Sequence, residues 1–216
     1  MNIPTKSIHK YIGIAGQKQN GKDVLCQMLL QGLSGWQRRS WADALKELVC
    51  DLFKVDIKFI EEWKENPEPP PGFLMPMRKI LQFLGDGVRQ IRGSYWIDRM
   101  FDDDQENLVI ADTRYINELL ATKEHGGLNL LIYRPGFLNF IDHPSEALIR
   151  PLVEWCVDMG FEGDLSKIWQ KVALPAENVQ LIDYFILNDG TLADLERKVI
   201  QNILPFIQER FLHDAA

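Results

Sequence analysis

The stretch Tyr11-Ile-Gly-Ile-Ala-Gly-Gln-Lys-Gln-Asn-Gly-Lys-Asp-Val24 decides how the rest of the chain is read. Its first five residues are a short apolar run that stops at Gly16, the pattern of a buried parallel strand. Residues 22–32 then place Val24, Leu25, Met28 and Leu29 on one face at helical spacing. A glycine loop between a strand and a helix can turn its N–H groups toward phosphate oxygens above the helix N-terminus. Lys22 would reach those phosphates and offset their charge. The pattern G-x-x-x-x-G-K wants Ser or Thr next, and this chain has Asp23. Asp23 has a plain reading, an acid in the first helical turn favoured by the helix dipole. It also has a functional one, a carboxylate replacing the usual hydroxyl at a magnesium ion. An acid so close to phosphate is repulsive without a cation, so the functional reading requires the metal.

Working outward, residues 37–41, 108–112, 128–133 and 183–187 read as further strands. Helices are expected at 43–54, with Leu45, Leu48, Val49 and Leu52 inward, at 56–65, and at 77–92, with Ile80, Leu81, Leu84 and Val88 inward. Others are expected at 94–103, 115–125 and 145–158, with a final helix from about Thr191 to Phe211. The run Asn66-Pro-Glu-Pro-Pro-Pro-Gly72 stops a helix and forms a stiff extended loop. Strands alternating with helices predict an α/β fold, a mostly parallel sheet with helices on both faces.

The chain has 216 residues, which suits one domain with a subdomain. A formal net charge of −7 argues against a binder of duplex nucleic acid, which shows a basic surplus. A small anionic substrate is compatible, because a few arginines in one cleft override the global sign. Cys26, Cys50 and Cys156 are far apart, lack zinc spacing and sit in apolar helical patterns, so they are expected to be reduced and buried. No signal-peptide core and no apolar run of membrane-spanning length is present, so a soluble cytoplasmic protein is expected.

Leu108-Val-Ile-Ala-Asp112 is an apolar strand ending in an acid, and phosphate-binding enzymes hold magnesium from that place. Arg114 follows beside the strand end. Arg78, Arg89 and Arg92 lie on or near the 77–92 helix, and Arg134 and Arg150 come later. A guanidinium grips phosphate with two prongs, although a solvated surface role is the commoner fate of any single arginine. His143 stands in Asp142-His-Pro-Ser-Glu146, where the plain reading is a helix N-cap.

Several separated stretches together resemble the deoxynucleoside monophosphate kinases of bacteriophages and prophages, within the phosphate-loop (P-loop) nucleoside monophosphate kinase-like group. They are Gly16 to Asp23; Trp41-Ala-Asp43-Ala-Leu-Lys46; Arg78-Lys-Ile-Leu-Gln82-Phe-Leu-Gly85; Trp96; Asp112-Thr-Arg114-Tyr-Ile-Asn117-Glu118; Arg134-Pro; His143-Pro-Ser-Glu146; and Asn188-Asp-Gly190. They run in the family's order over nearly the whole chain. In that family Gly-Lys-Asp is a normal loop ending, usually followed by Thr. Here Val24 stands in that place, so neither position carries a hydroxyl and the metal contact falls to Asp23 and Asp112, with water.

The resemblance implies a three-layer P-loop kinase fold as a single domain. Its core is expected at 8–54, 105–134 and 181–214, with a helical acceptor-binding insert at 55–104 and a mobile lid at 135–175. It implies a transfer from ATP, with Mg2+, to a deoxynucleoside monophosphate. Lys22, Asp112 and Arg114 are the expected catalytic residues. Gly16, Lys18, Asn20, Gly21, Lys22, Asp23 and Val24 would hold ATP phosphates, and Asn188 and Gly190 the adenine. Asp43, Lys46, Arg78, Gln82, Arg114, Glu118, Arg134, His143 and Arg150 would bind the acceptor. The oligomeric state stays open, a homodimer among the options. Two other readings also stay open: a small-metabolite kinase of the dephospho-coenzyme A or phosphomevalonate type, and a nucleotide-binding protein that transfers nothing.

Overall fold

In the computed structural model, which describes residues 9–102, 106–136, 153–166 and 179–213, the apolar runs become strands. They are β1 (Tyr11–Ala15), β2 (Trp36–Arg39), β3 (Asn107–Thr113), β4 (Leu128–Tyr133), β5 (Gly163–Asp164) and β6 (Tyr184–Leu187). The strand order is β2-β3-β1-β4-β6-β5. The first five strands in that order are mutually parallel, with Ile12 across from Val109 on one side and Leu128 on the other. The two-residue β5 pairs antiparallel to β6. β1 and β4 are buried at every position, which is why they read as unbroken apolar runs and not as alternating ones.

The chain forms two units, Met1–Ser40 with Gln105–Ala216, and Trp41–Asp104. In the first, alternate strand residues face opposite layers. Ile12, Ile14, Leu130, Ile132 and Ile186 pack with Leu25 and Leu29 of α1 (Lys22–Gly32) and with the C-terminal helix. Ala15, Leu131, Tyr133 and Phe185 pack with Leu119 of α6 (Ile116–Glu124) and with Val153 and Cys156 on helical residues 153–158. The sheet is therefore mostly parallel with helices on both faces, as the alternating sequence pattern predicts. The C-terminal helix comprises α7 (Leu192–Lys198), a π-helical stretch Val199–Ile203, and α8 (Leu204–His213). Pro205 explains the wide turn: it has no N–H to give, and its ring would strike the carbonyl four residues back in a regular helix.

The second unit is helical: α2 (Trp41–Phe53), α3 (Ile57–Trp63), α4 (Met77–Ile91) and α5 (Tyr95–Phe101). Its core is small. Val49, Ile60, Met77 and Ile80 are buried, with Leu45, Phe59, Phe73, Leu81 and Leu84 partly so. Asp56 caps α3, its Oδ1 accepting from the Phe59 N–H at 2.7 Å. Trp96 donates its indole N–H to the Gly85 carbonyl at 3.1 Å, joining α5 to α4.

Two inward assignments need correction. Leu52 is 56% exposed, because the buried stripe of α2 runs through Leu45 and Val49 and the helix ends one residue later at Phe53. Cys50 is half-buried, whereas Cys26 and Cys156 are buried; all three are free thiols. Burial pushes the Cys26 thiol up to about 11 and that of Cys156 to about 12, so neither is a thiolate at neutral pH. The expected helix at 145–158 is described only from residue 153, and most of the expected lid lies outside the described residues. Among the described residues no helix is long and apolar enough to cross a membrane.

Candidate functional site

Because β1, β2, β3, β4 and β6 run the same way, everything that follows them lies along one edge of the sheet. Ligands of open α/β sheets bind at that carboxyl edge. Gly16 follows β1, Ser40 follows β2, Asp112 and Arg114 end or follow β3, Arg134 follows β4, and Asn188 follows β6.

The loop after β1 is shaped by what it touches. Gly16 has φ 153° and Gly21 φ 101°, both unfavourable for a side chain. A Cβ on Gly16 would stand 2.5 Å from the Ile132 carbonyl oxygen, and one on Gly21 would stand 2.8 Å from Asn188 Nδ2. The loop is thus pressed onto the ends of β4 and β6. Asn20 is fully buried, and its Nδ2 donates to the Ile132 carbonyl at 3.4 Å. Asn188 Nδ2 donates to the Asn20 carbonyl at 3.1 Å, and its own backbone N–H donates to the Tyr133 carbonyl at 2.7 Å. Lys22 is buried and folded over the loop, donating from Nζ to the Gly16 and Gln17 carbonyls at 2.6 and 2.7 Å. Gln17 Oε1 and Asn20 Oδ1 are buried in the loop with no hydrogen-bond partner, a cost that a ligand's donors or water can relieve.

On α1, the Asp23 side chain is 78% exposed, and its Oδ1 pairs with Arg38 Nη2 at 3.2 Å. Val24 packs against the hydrophobic core, so any phosphate contact it makes falls to its backbone. Asp112 Oδ2 accepts from the Ser40 hydroxyl at 2.5 Å. Glu118, at the third position of α6, is buried, and its Oε2 accepts from the N–H groups of Arg114 at 2.8 Å and Tyr115 at 3.0 Å. It caps the helix and fixes the turn that carries Arg114. Gly190 precedes α7, where a Cβ would stand 2.8 Å from the Asp194 carboxylate that accepts from the Thr191 N–H. Lys18 sits within the loop and Arg134 is exposed after β4; His143 and Arg150 lie outside the described residues.

In the helical unit, Asp43 and Lys46 lie one turn apart on α2, at 3.7 Å, and Lys46 Nζ pairs more closely with Glu61 Oε1 at 2.8 Å. Hydrogen bonds from Lys46 and then Lys64 lower the Glu61 carboxyl to about 2. Arg78 and Gln82 project from α4 at a four-residue spacing, both exposed, and Arg78 pairs with Glu65.

Three residues went unread in the sequence. Arg38 and Ser40 carry no motif, but they sit at the carboxyl end of a strand beside β3, where polar residues belong to a ligand edge. Lys198 leaves no local signal at all. It donates to the Leu187 carbonyl at 2.6 Å and to Asp189 Oδ1 at 3.2 Å, pinning the loop after β6.

Among the described residues no group of three or more His, Cys, Asp or Glu could form a metal cage. Magnesium does not need one, since it takes one or two carboxylates and completes its shell with water and phosphate oxygens. The hard oxygens of Asp23 and Asp112 suit such a site.

Fold and loop together define a phosphate-loop α/β protein. No family model matches the chain. A curated protein of Acanthamoeba polyphaga mimivirus, named "Putative deoxynucleotide monophosphate kinase", is 27% identical over 186 residues, covering 77% of this chain and 96% of the relative. Among solved structures, dephospho-CoA kinase from Campylobacter jejuni aligns over 93% of this chain and 98% of its own, with 13% identity and a TM-score of 0.44. Thymidylate kinase from Candida albicans aligns over 94% and 93%, with 14% identity and a TM-score of 0.44. At these scores the two structures add nothing to the topology above.

Proposed function

We propose that this protein is an ATP-dependent kinase that converts deoxynucleoside monophosphates to diphosphates. The observation that carries the reading is the single carboxyl edge that holds the glycine loop, Lys22, Asp112 and Arg114. The viral relative's printed name supports the substrate class.

In this reading the loop's N–H groups and Lys22 hold the β- and γ-phosphates, and Lys22 exchanges its two carbonyl partners for phosphate oxygens. Mg2+, held by Asp112 and Asp23 with water, would screen the phosphate charge. Arg114 steadies the acceptor phosphate from the turn that Glu118 fixes. Asn188 and Gly190 line the adenine end. Arg78 and Gln82 bind the acceptor's phosphate and base, and Asp43 and Lys46 contribute on α2. An oxygen of the acceptor phosphate attacks the γ-phosphorus, the bond to the β,γ-bridging oxygen breaks, and ADP leaves. The protein's work is alignment, charge neutralisation and exclusion of water.

The test is ADP release with Mg-ATP and a panel of acceptors: dAMP, dGMP, dCMP, dTMP, their ribose forms, and dephospho-coenzyme A. Turnover with one or more deoxynucleotides, abolished in Lys22→Ala and Arg114→Ala, is the expected result. Turnover only with dephospho-coenzyme A would name a metabolite kinase instead. ATP binding without any turnover would mean that the site grips nucleotide and transfers nothing.

A further inference from the structure

The loop's last two positions carry no hydroxyl, yet a hydroxyl stands against Asp112 all the same. It belongs to Ser40, which is 6% exposed and donates from Oγ to Asp112 Oδ2 at 2.5 Å. The sheet fixes this meeting: β2 pairs in parallel with β3, Arg39 across from Ile110, so the strand end bearing Ser40 is anchored beside the one bearing Asp112. Two residues earlier on the same strand, Arg38 pairs with Asp23 at 3.2 Å. One strand therefore reaches both acids of the candidate metal site.

A hydroxyl has one proton to give. When that proton goes to a carboxylate, the bond is charge-assisted, short and strong, and it holds the carboxylate at one rotation. The second Asp112 oxygen is then aimed in a fixed direction. In a loop ending in Ser or Thr, the hydroxyl beside the acid comes from the loop itself. Here a neighbouring strand supplies one.

We propose that Ser40 is the positioning residue of the phosphate site, orienting Asp112 for a magnesium nucleotide in place of the hydroxyl that Asp23 and Val24 lack. The proposal rests on the kinase reading above. It assigns Ser40 no contact with substrate; the residue acts through Asp112.

Calorimetric titration of ADP into the full chain, with and without Mg2+, separates the possibilities. Wild type should bind ADP more tightly with Mg2+. In Ser40→Ala, metal-free ADP affinity should stay within about twofold, while the gain from Mg2+ falls about tenfold, the size expected on losing an outer hydrogen-bond partner of a metal ligand. Ser40→Thr, which keeps the hydroxyl, should keep the gain. Should Ser40→Ala fail to fold, Ser40→Cys keeps nearly the same volume with a much weaker donor and should show the same selective loss. An unchanged magnesium gain in the alanine or cysteine variant overturns the proposal. So does an equal loss with and without metal, which makes Ser40 merely structural. A wild type that binds ADP but gains nothing from Mg2+ sinks the proposal and leaves nucleotide binding standing. A wild type that binds no ADP sinks the kinase reading as well.

Discussion

The two units hold their candidate residues in different ways. Along the sheet edge the partners are mostly backbone: Lys22 on two loop carbonyls, Asn188 on the Asn20 carbonyl, Glu118 on two N–H groups. In the helical unit the partners are other side chains at half-exposed positions, Lys46 with Glu61 and Arg78 with Glu65. Backbone partners are placed by the fold itself, so the groups they hold start from one position even where, as at Lys22, a phosphate oxygen can replace them. Exposed ion pairs are worth only about 0–1 kcal/mol and give way easily to a stronger anion such as phosphate. The sheet edge is therefore built for fixed geometry, and the helical unit for charges that can change partners.

The largest expected effect tests the fixed side. Lys22→Met should lower kcat for acceptor-dependent ADP release by about 10²–10³-fold, the range for losing one preorganised donor. A loss confined to KM would mean that Lys22 only binds. Next comes stability. Ile132 is fully buried and floors the loop under Gly16 and Gly21, so Ile132→Ala should cost about 3 kcal/mol in urea unfolding. The same truncation at Ile80, in the smaller core of the helical unit, should cost less; equal costs would erase the contrast. Smaller again, Arg78→Ala should raise the acceptor KM about tenfold with kcat nearly kept, while Glu65→Ala changes stability by less than about 1 kcal/mol.

The smallest effect is one of pH. Glu61 titrates near 2 in the folded chain, lowered from 4.5 by hydrogen bonds from Lys46 and Lys64. Its stabilising contribution is therefore complete above pH 4.5 and is lost as pH falls toward 2, because the unfolded chain takes up the proton first. Because Glu61 is partly exposed the change is modest, and Glu61→Gln should flatten the acid limb of the stability curve measured by circular dichroism.

Much of the sheet unit was legible because its central strands β1 and β4 are buried on both faces. Tyr11–Ala15 and Leu128–Tyr133 stand out as continuous apolar runs, and each ends at a residue that breaks the pattern. The two-residue β5 is too short to leave a period. In the helical unit, apolar spacing found α2 but overcounted its buried face at Leu52, since a small core consumes fewer positions than the pattern offers. The loop, Lys22 and Asp112 were legible as a local motif beside a strand end. Arg38 and Ser40 were not, because their meaning arises only when β2 is laid against β3. Lys198 acts across eleven residues through a backbone carbonyl, which no pattern records.

The π-helical stretch near the C-terminus acts as a timing correction. Leu195, Val199, Ile203, Ile207 and Phe211 recur every fourth residue, and all five are buried. In a regular helix a four-residue step overshoots one turn by about 40°, so such a row would wind off the sheet within a few steps. The wide turn at Val199–Ile203 resets the phase midway and brings the last two members back over the core. The wide turn adds a residue with little added rotation, so removing one residue there would restore regular winding and leave Ile207 and Phe211 over the core, whereas the same deletion in the regular turns beyond would swing the residues after it by about 100°.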